Sequence, residues 1–221
     1  MSRITENITL LKSQLPPEVK LIAVSKTKTV KDILEIYDTG QRRFGENRVP
    51  ELLSKKDLLP ADIEWHLIGH LQTNKVKFVV PFISMIQSVD SLKLLSAINS
   101  EAIKVGRIID CLLEIHIASE ETKYGFSMNE LNENLIQKNL SYPGNVRICG
   151  VMGMATFTSD KEKVLKEFLY LKECFNLLKK SCFSSNSYFR EISMGMSGDY
   201  ELAVEAGSTM VRVGSLIFGS R

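Results

Sequence analysis

Short apolar runs alternate along this chain with stretches in which apolar residues recur every three or four positions. A short apolar run bounded by polar or turn-forming residues reads as a strand buried on both faces, and the longer spacing as an amphipathic helix. Strands are therefore predicted over 21–25, 42–45, 64–69, 83–89, 108–117, 146–152, 189–193 and 210–213. A helix is predicted over 4–15, ahead of the first strand. Others follow the first seven strands, over 30–37, 49–59, 74–80, 91–105, 127–138, 161–180 and 199–206. The punctuation agrees: Pro16-Pro17 stops the first helix, Gly40 stands at a C-cap, Pro60 follows the third helix and Gly207 closes the last.

Regular alternation of strand and helix implies a parallel sheet with helices outside it. Eight repeats in 221 residues fit a (β/α)8 TIM barrel better than an open doubly wound sheet. Were two of the strands absent, a flavodoxin-like open sheet would fit instead. The helix over 4–15 is then an addition at the bottom or side of the barrel. Nothing resembling a linker divides the chain, so 1–221 reads as a single domain.

Composition narrows the possibilities. The chain is 44% hydrophobic and 24% charged, and its net charge of +2 provides no footprint for nucleic acid. No apolar run approaches the roughly 18 residues of a membrane span, and residues 1–6 do not resemble a signal peptide. The cysteines at 111, 149, 174 and 182 form no CxxC pair. They read as reduced thiols, which points to a cytoplasmic protein.

In a barrel of this kind the chemistry collects where the strands end. Lys26 ends the first predicted strand. An ammonium is costly to bury, so a lysine leaving the core there is pushed toward the neutral, nucleophilic amine. Lys28 falls on the same face if the strand continues, and its charge would push Lys26 further. A lysine with its head in water is the plain alternative. The other strand ends contribute Gly45-Glu46-Asn47, Gly69-His70, Met152-Gly153-Met154, the loop 193–198 and Gly214-Ser215. No pair of carboxylates stands out, which argues against glycosidase-type acid–base chemistry. Barrels commonly bind phosphate with the loops after strands seven and eight, here 193–198 and Gly214-Ser215. Glycines there either make tight turns or let the backbone approach an anion. His66 and His70 have a metal-ligand spacing for a helix, but in a strand they lie about 13 Å apart, so no metal site is expected. His116 reads as a core histidine in mid-strand. The methionines at 152, 154, 194, 196 and 210 read mainly as packing near the barrel mouth.

Taken together, several segments resemble one family: 23–28 (AVSKTK), 44–47 (FGEN), 65–69 (WHLIG), 71–75 (LQTNK), 152–154 (MGM), 193–199 (SMGMSGD) and 207–215 (GSTMVRVGS). In order and nearly ungapped from about residue 20 onward, they are similar to the pyridoxal phosphate homeostasis proteins, single-domain relatives of the alanine racemase N-terminal barrel. The resemblance implies that Lys26 carries pyridoxal 5′-phosphate (PLP) as a Schiff base, with Asn47 beside the ring. It implies that Ser193, Gly214 and Ser215 grip the phosphate and that Arg212 faces the pyridine nitrogen. Ser215 departs mildly from a position where the family often has threonine. An arginine leaves the ring nitrogen neutral and the ring a weaker electron sink than a carboxylate would. Alanine racemase also has a second, β-rich domain that supplies an opposing tyrosine, and no such domain is expected here.

The resemblance thus implies a PLP carrier with no established turnover, acting as a monomer, with PLP-dependent apoenzymes as recipients. A PLP-dependent amino-acid racemase is the alternative. With the family set aside, Lys26 would also suit a class I aldolase acting on a phosphosugar.

Overall fold

In the computed structural model, which describes residues 2–119, 124–131, 133 and 144–219, every predicted strand forms. They are β1 (Lys20–Val24), β2 (Arg43–Glu46), β3 (Glu64–Leu67), β4 (Met85–Val89), β5 (Ile109–Ile115), β6 (Val146–Gly153), β7 (Glu191–Ser193) and β8 (Met210–Val213). Each pairs in parallel with the next, and β8 returns to β1 to close the barrel. The closing register sets Lys20 against Met210, Leu21 against Val211, Ile22 against Arg212 and Ala23 against Val213. Closure removes the open-sheet alternative.

The outer ring comprises α1 (Arg3–Gln14), α2 (Val30–Asp38), α3 (Val49–Lys56), α4 (Val76–Val79), α5 (Leu92–Lys104), α6 (Met128–Leu131), α7 (Lys161–Ser181), α8 (Tyr200–Glu205) and α9 (Ser215–Phe218). Local chemistry sets the starts. Thr29 and Asp32 form a reciprocal capping box at α2, and the Ser91 and Asp160 side chains cap α5 and α7. Of the helix predicted over 127–138, the stretch Met128–Leu131 forms; most of the remainder lies outside the described residues. The added helix α1 lies on the barrel's side, between α2 and α9. Thr5 Oγ1 donates to Glu35 at 3.0 Å, and Asn7 Nδ2 donates to the Ile217 carbonyl at 3.0 Å.

Alternation along the strands builds two cores. Leu21 and Ala23 face outward to the helices, whereas Ile22 joins Met85, Leu112, Cys149, Met152 and Met210 inside the barrel. Met194 is buried in the outer core, and Met154 packs against the inner cluster. Two expectations change. His116 lies just beyond β5 and is half-buried rather than a mid-strand core residue, because the strand ends at Ile115. Likewise β1 ends at Val24, before Lys26, so Lys28 does not continue a strand face. No helix among the described residues is long and apolar enough to cross a membrane.

Phe168 on α7 is completely buried, whereas Phe157 is 98% exposed. Phe168→Ala should therefore cost about 3–5 kcal/mol of stability, and Phe157→Ala less than about 0.5 kcal/mol. Urea unfolding of the two variants measures the contrast.

Candidate functional site

The chain leaves β1 in a tight turn. Ser25 N–H donates to the Gly45 carbonyl at 3.0 Å, and Lys28 N–H donates back to the Ser25 carbonyl at 3.0 Å. Between them Thr27 adopts φ +66°, the left-handed region. Lys26 is half-buried at the head of this turn. Lys28 turns toward α9, where its Nζ donates to the Phe218 and Gly219 carbonyls at 3.5 Å.

Both lysines border a cavity of about 440 Å³ at the C-terminal mouth of the barrel. Asn47, Arg212, Gly214 and Ser215 also line it, and Val24, Ile68, Met154, Met196 and Leu202 supply apolar wall. Backbone proximity shapes two parts of it. A Cβ on Gly69 would stand 2.5 Å from the Asn47 carbonyl oxygen, so glycine there lets the Asn47 loop lie against the end of β3. A Cβ on Gly214 would meet the Val24 carbonyl at 3.2 Å, which shows how closely the ends of β1 and β8 approach.

Arg212 projects from β8 into the barrel and is 4% exposed. Its Nη1 donates to Ser193 Oγ at 2.7 Å and its Nη2 to the Gly153 carbonyl at 3.0 Å. Ser193 Oγ donates in turn to Gln87 Oε1 at 2.7 Å, and Gln87 Nε2 lies 2.9 Å from His66 Nδ1. A guanidinium can only donate, and a serine hydroxyl has a single proton to give. The chain of bonds therefore runs one way, from Arg212 through Ser193 and Gln87, and it ends on an unprotonated His66 Nδ1. His66 is thus the neutral Nε2–H tautomer. Burial pushes its pKa down to about 3, with Arg43 and Lys20 adding to the effect.

Carboxyls balance the guanidinium. Burial pulls the Arg212 pKa down to about 10, and Glu114 and Asp199 oppose the fall. Burial raises Glu114 to about 7, helped by Asp90 and opposed by Arg212. Asp199 is also raised by burial, although its Oδ1 accepts the Met196 N–H at 2.5 Å. A fixed cation therefore stands at the base of the cavity, with a buried carboxyl, Glu114, and a half-buried one, Asp199, acting on it.

Lys26, Asn47, Arg212, Gly214 and Ser215, all singled out by sequence, meet in this one cavity. Ser193 does not reach it: the side chain is fully buried at the end of β7, its hydroxyl committed to Arg212 and Gln87. The hydroxyl of that loop that borders the cavity is Ser197, which accepts the Gly214 N–H at 3.2 Å. Ser197 falls in the loop 193–198 that the sequence named as a whole, whereas Thr156, after β6, and Lys161, at the start of α7, had no sequence signal. His66 and His70 part company, since His70 bonds Asp90 at 2.7 Å and stacks on Tyr124.

Comparison with known proteins extends this geometry. The family model for the alanine racemase N-terminal domain matches residues 1–221. A pyridoxal phosphate homeostasis protein from Aquifex aeolicus is 39% identical over 203 residues, covering 91% of this chain and 87% of its own length. The structure of PipY from Synechococcus elongatus with PLP bound superimposes with a TM-score of 0.89 at 36% identity, covering 98% of this chain and 100% of that one. An alanine racemase from Clostridium difficile shares the fold at 15% identity and a TM-score of 0.76; the match covers 99% of this chain and 56% of the racemase.

The buried titratable groups predict opposing pH slopes. The unfolded chain protonates His66 near its usual 6.5 and the folded chain near 3, so stability falls as pH drops through that window. Glu114, raised from 4.5 to about 7, holds its proton longer when folded, so its contribution is lost as pH rises through that interval. His66→Gln should flatten the acid-side slope of unfolding free energy, and Glu114→Gln the neutral-side slope. Urea unfolding from pH 4 to about 8 tests both, and unchanged slopes would contradict the assignments.

Proposed function

The chain belongs to the family of the alanine racemase N-terminal domain, and from that premise we propose that it is a PLP-binding protein of PLP homeostasis that carries the cofactor on Lys26. One observation carries the reading: a single cavity brings together Lys26 from the end of β1, Arg212 from within β8 and the Gly214-Ser215 turn after β8. The likeness to PipY, 36% identical and solved with PLP bound, supports it.

The donor set fits the cofactor. PLP supplies an aldehyde, a phosphate and a pyridine ring. Lys26 would hold the aldehyde carbon through its amine, a condensation that would form one C=N bond, release one water and need no redox co-reactant. Ser215 suits the phosphate dianion, because its hydroxyl and backbone N–H would make charge-assisted hydrogen bonds, and Gly214, whose N–H here bonds Ser197, would keep the turn open to the anion's approach. Asn47 lies beside the ring. Arg212 would face the pyridine nitrogen and, as a permanent donor, would keep that nitrogen unprotonated. Ser193 takes part by holding the guanidinium.

The same residues favour storage over turnover. Racemisation needs a proton-transfer group on each face of a carbanion. Beside Lys26 the cavity is lined by Lys28, whose Nζ donates to the Phe218 and Gly219 carbonyls, and by Lys161; among the described residues no tyrosine, histidine or cysteine lines it, and the lining carboxylate, Asp199, is tied to the Met196 amide. Arg212 further weakens the electron sink that such chemistry requires. A monomer in the cytoplasm that passes PLP to apoenzymes completes the reading.

Borohydride reduction of the PLP-loaded protein followed by peptide mapping should place the pyridoxyl group on Lys26; an adduct solely on Lys28 or Lys161 would refute the assignment. Lys26→Ala should lose the visible absorption band and stay folded. Incubation with L-alanine and a panel of other amino acids should yield no D-isomer at rates of about 1 per second or more.

The phosphate contact is tested by comparing PLP with pyridoxal, which lacks the phosphate. Wild type should prefer PLP, and Ser215→Ala should reduce that preference by about tenfold, the loss of one hydrogen bond to a charged group. Gly214→Val should do more, since its side chain meets Val24. Equal affinity of wild type for both ligands would place the phosphate elsewhere.

A further inference from the structure

The two residues that flank Lys26 are held by one buried ionic cluster. Lys55 on α3 is 7% exposed. Its Nζ donates to the Ser25 carbonyl at 2.9 Å, to Glu46 Oε1 at 2.8 Å and to Glu51 Oε1 at 2.6 Å. The Ser25 hydroxyl donates to the same Glu46 oxygen at 2.7 Å, and the Thr27 N–H donates to Glu51 Oε1. Residue 25 is thus anchored through its carbonyl and its hydroxyl, and residue 27 through its amide. Lys26 lies between the anchors.

Two features show that this cluster does more than fill space. Thr27 is the one non-glycine residue with a positive φ among the described residues. A β-branched residue is strained there, and such a conformation persists only where its surroundings enforce it. The Glu51 carboxylate, itself fixed by Lys55, supplies that enforcement through the Thr27 amide. The second feature is Glu46 Oε2, a buried carboxylate oxygen with no hydrogen-bond partner. Lys55 has three protons to donate, and one of them goes to the Ser25 backbone, while this oxygen, in a carboxyl whose pKa burial raises, receives none. A cluster arranged for stability alone would satisfy the carboxylate, because replacing buried ion pairs by well-packed apolar residues is often neutral or better. The arrangement instead serves the turn.

We propose that Lys55, acting with Glu46 and Glu51, is the positioning residue for Lys26: it fixes the backbone on both sides of that lysine and so directs Nζ into the cavity. The proposal rests on the reading of Lys26 as the PLP-bearing lysine. It assigns a role to three residues that touch neither the cavity nor its ligand. Preorganising an amine in this way favours the covalent bond, since the reacting group no longer has to be ordered when the bond forms.

The test is a double-mutant comparison on the full chain. Lys55→Met keeps the aliphatic stem and removes the ammonium. Affinity for PLP is measured with Lys26 present and again in the Lys26→Ala background, where only non-covalent binding remains. Lys55→Met should weaken PLP binding about tenfold or more when Lys26 is present, by loss of charge-assisted bonds to the turn. It should change residual binding in Lys26→Ala by less than about twofold. Equal weakening in both backgrounds would mean general structural damage and would overturn the proposal, as would no weakening in either.

Glu51→Gln, on a partly exposed side chain, weakens the Thr27 anchor and the Glu51–Lys55 pair while leaving Lys55 bonded to Ser25 and Glu46, and should give the same background-dependent pattern with a smaller loss. It decides the matter if Lys55→Met does not fold. Borohydride trapping on wild type separates the two levels: no adduct on Lys26 overturns the parent reading, and an adduct on Lys26 with no background dependence overturns this one alone.

Discussion

Everything at the mouth of this protein depends on the parallel pairing of β8 with β1. Without that pairing the chain would be an open sheet, and Lys26 and Ser215 would sit on opposite edges of it. With it, Ala23 stands against Val213, so the turn that carries Lys26 and the turn that begins at Gly214 emerge side by side. The approach is close enough that a Cβ on Gly214 would press on the Val24 carbonyl at 3.2 Å. Backbone hydrogen bonding, which is indifferent to side chains, thereby places an amine next to the Gly214-Ser215 turn.

Closure also creates the interior that must be filled. Apolar side chains fill much of it, but the barrel holds a polar chain too, from Arg212 through Ser193 and Gln87 to His66. A buried cation is tolerated only where its hydrogen bonds and charge are matched. Here the Gly153 carbonyl and the Ser193 hydroxyl take the donors, while Glu114 and Asp199 offset the charge. The result is a guanidinium fixed in place at the base of the cavity. An arginine so held makes a rigid hydrogen-bond donor and a poor proton source, which suits binding and retention of a ligand better than proton transfer.

The site is therefore built in two layers of different chemistry. On the α3 side, an ionic cluster governs the backbone around Lys26. Across the cavity, the Ser193 hydroxyl and the Gly153 carbonyl hold Arg212 by charge-assisted hydrogen bonds. Both layers are built from residues that do not line the cavity: one holds the backbone on either side of Lys26, the other the guanidinium of Arg212.

The order of strands and helices, and hence the barrel, could be read from the chain alone. Apolar periodicity and helix punctuation are local properties, and eight repeats leave few topologies for a parallel sheet. Lys26, Asn47, Gly214 and Ser215 were legible for the same reason: they follow strand ends, and strand ends define the mouth of a barrel. Ser193 is expected at the phosphate, but its side chain stands inside the barrel, bonded to Arg212 and Gln87. A strand residue and its neighbour differ by which face they occupy, and only the register of β7 against β6 and β8 sends Ser193 inward to Arg212 while Ser197 reaches the cavity. Lys28 was placed on a strand face that ends four residues earlier, because Thr27 turns the chain through a left-handed conformation that a threonine does not advertise. Lys55, Glu51 and Gln87 carried no sequence signal at all. On a helix or strand they are ordinary polar residues, and what makes them matter is burial beside particular partners, which distance along the chain conceals and folding alone decides.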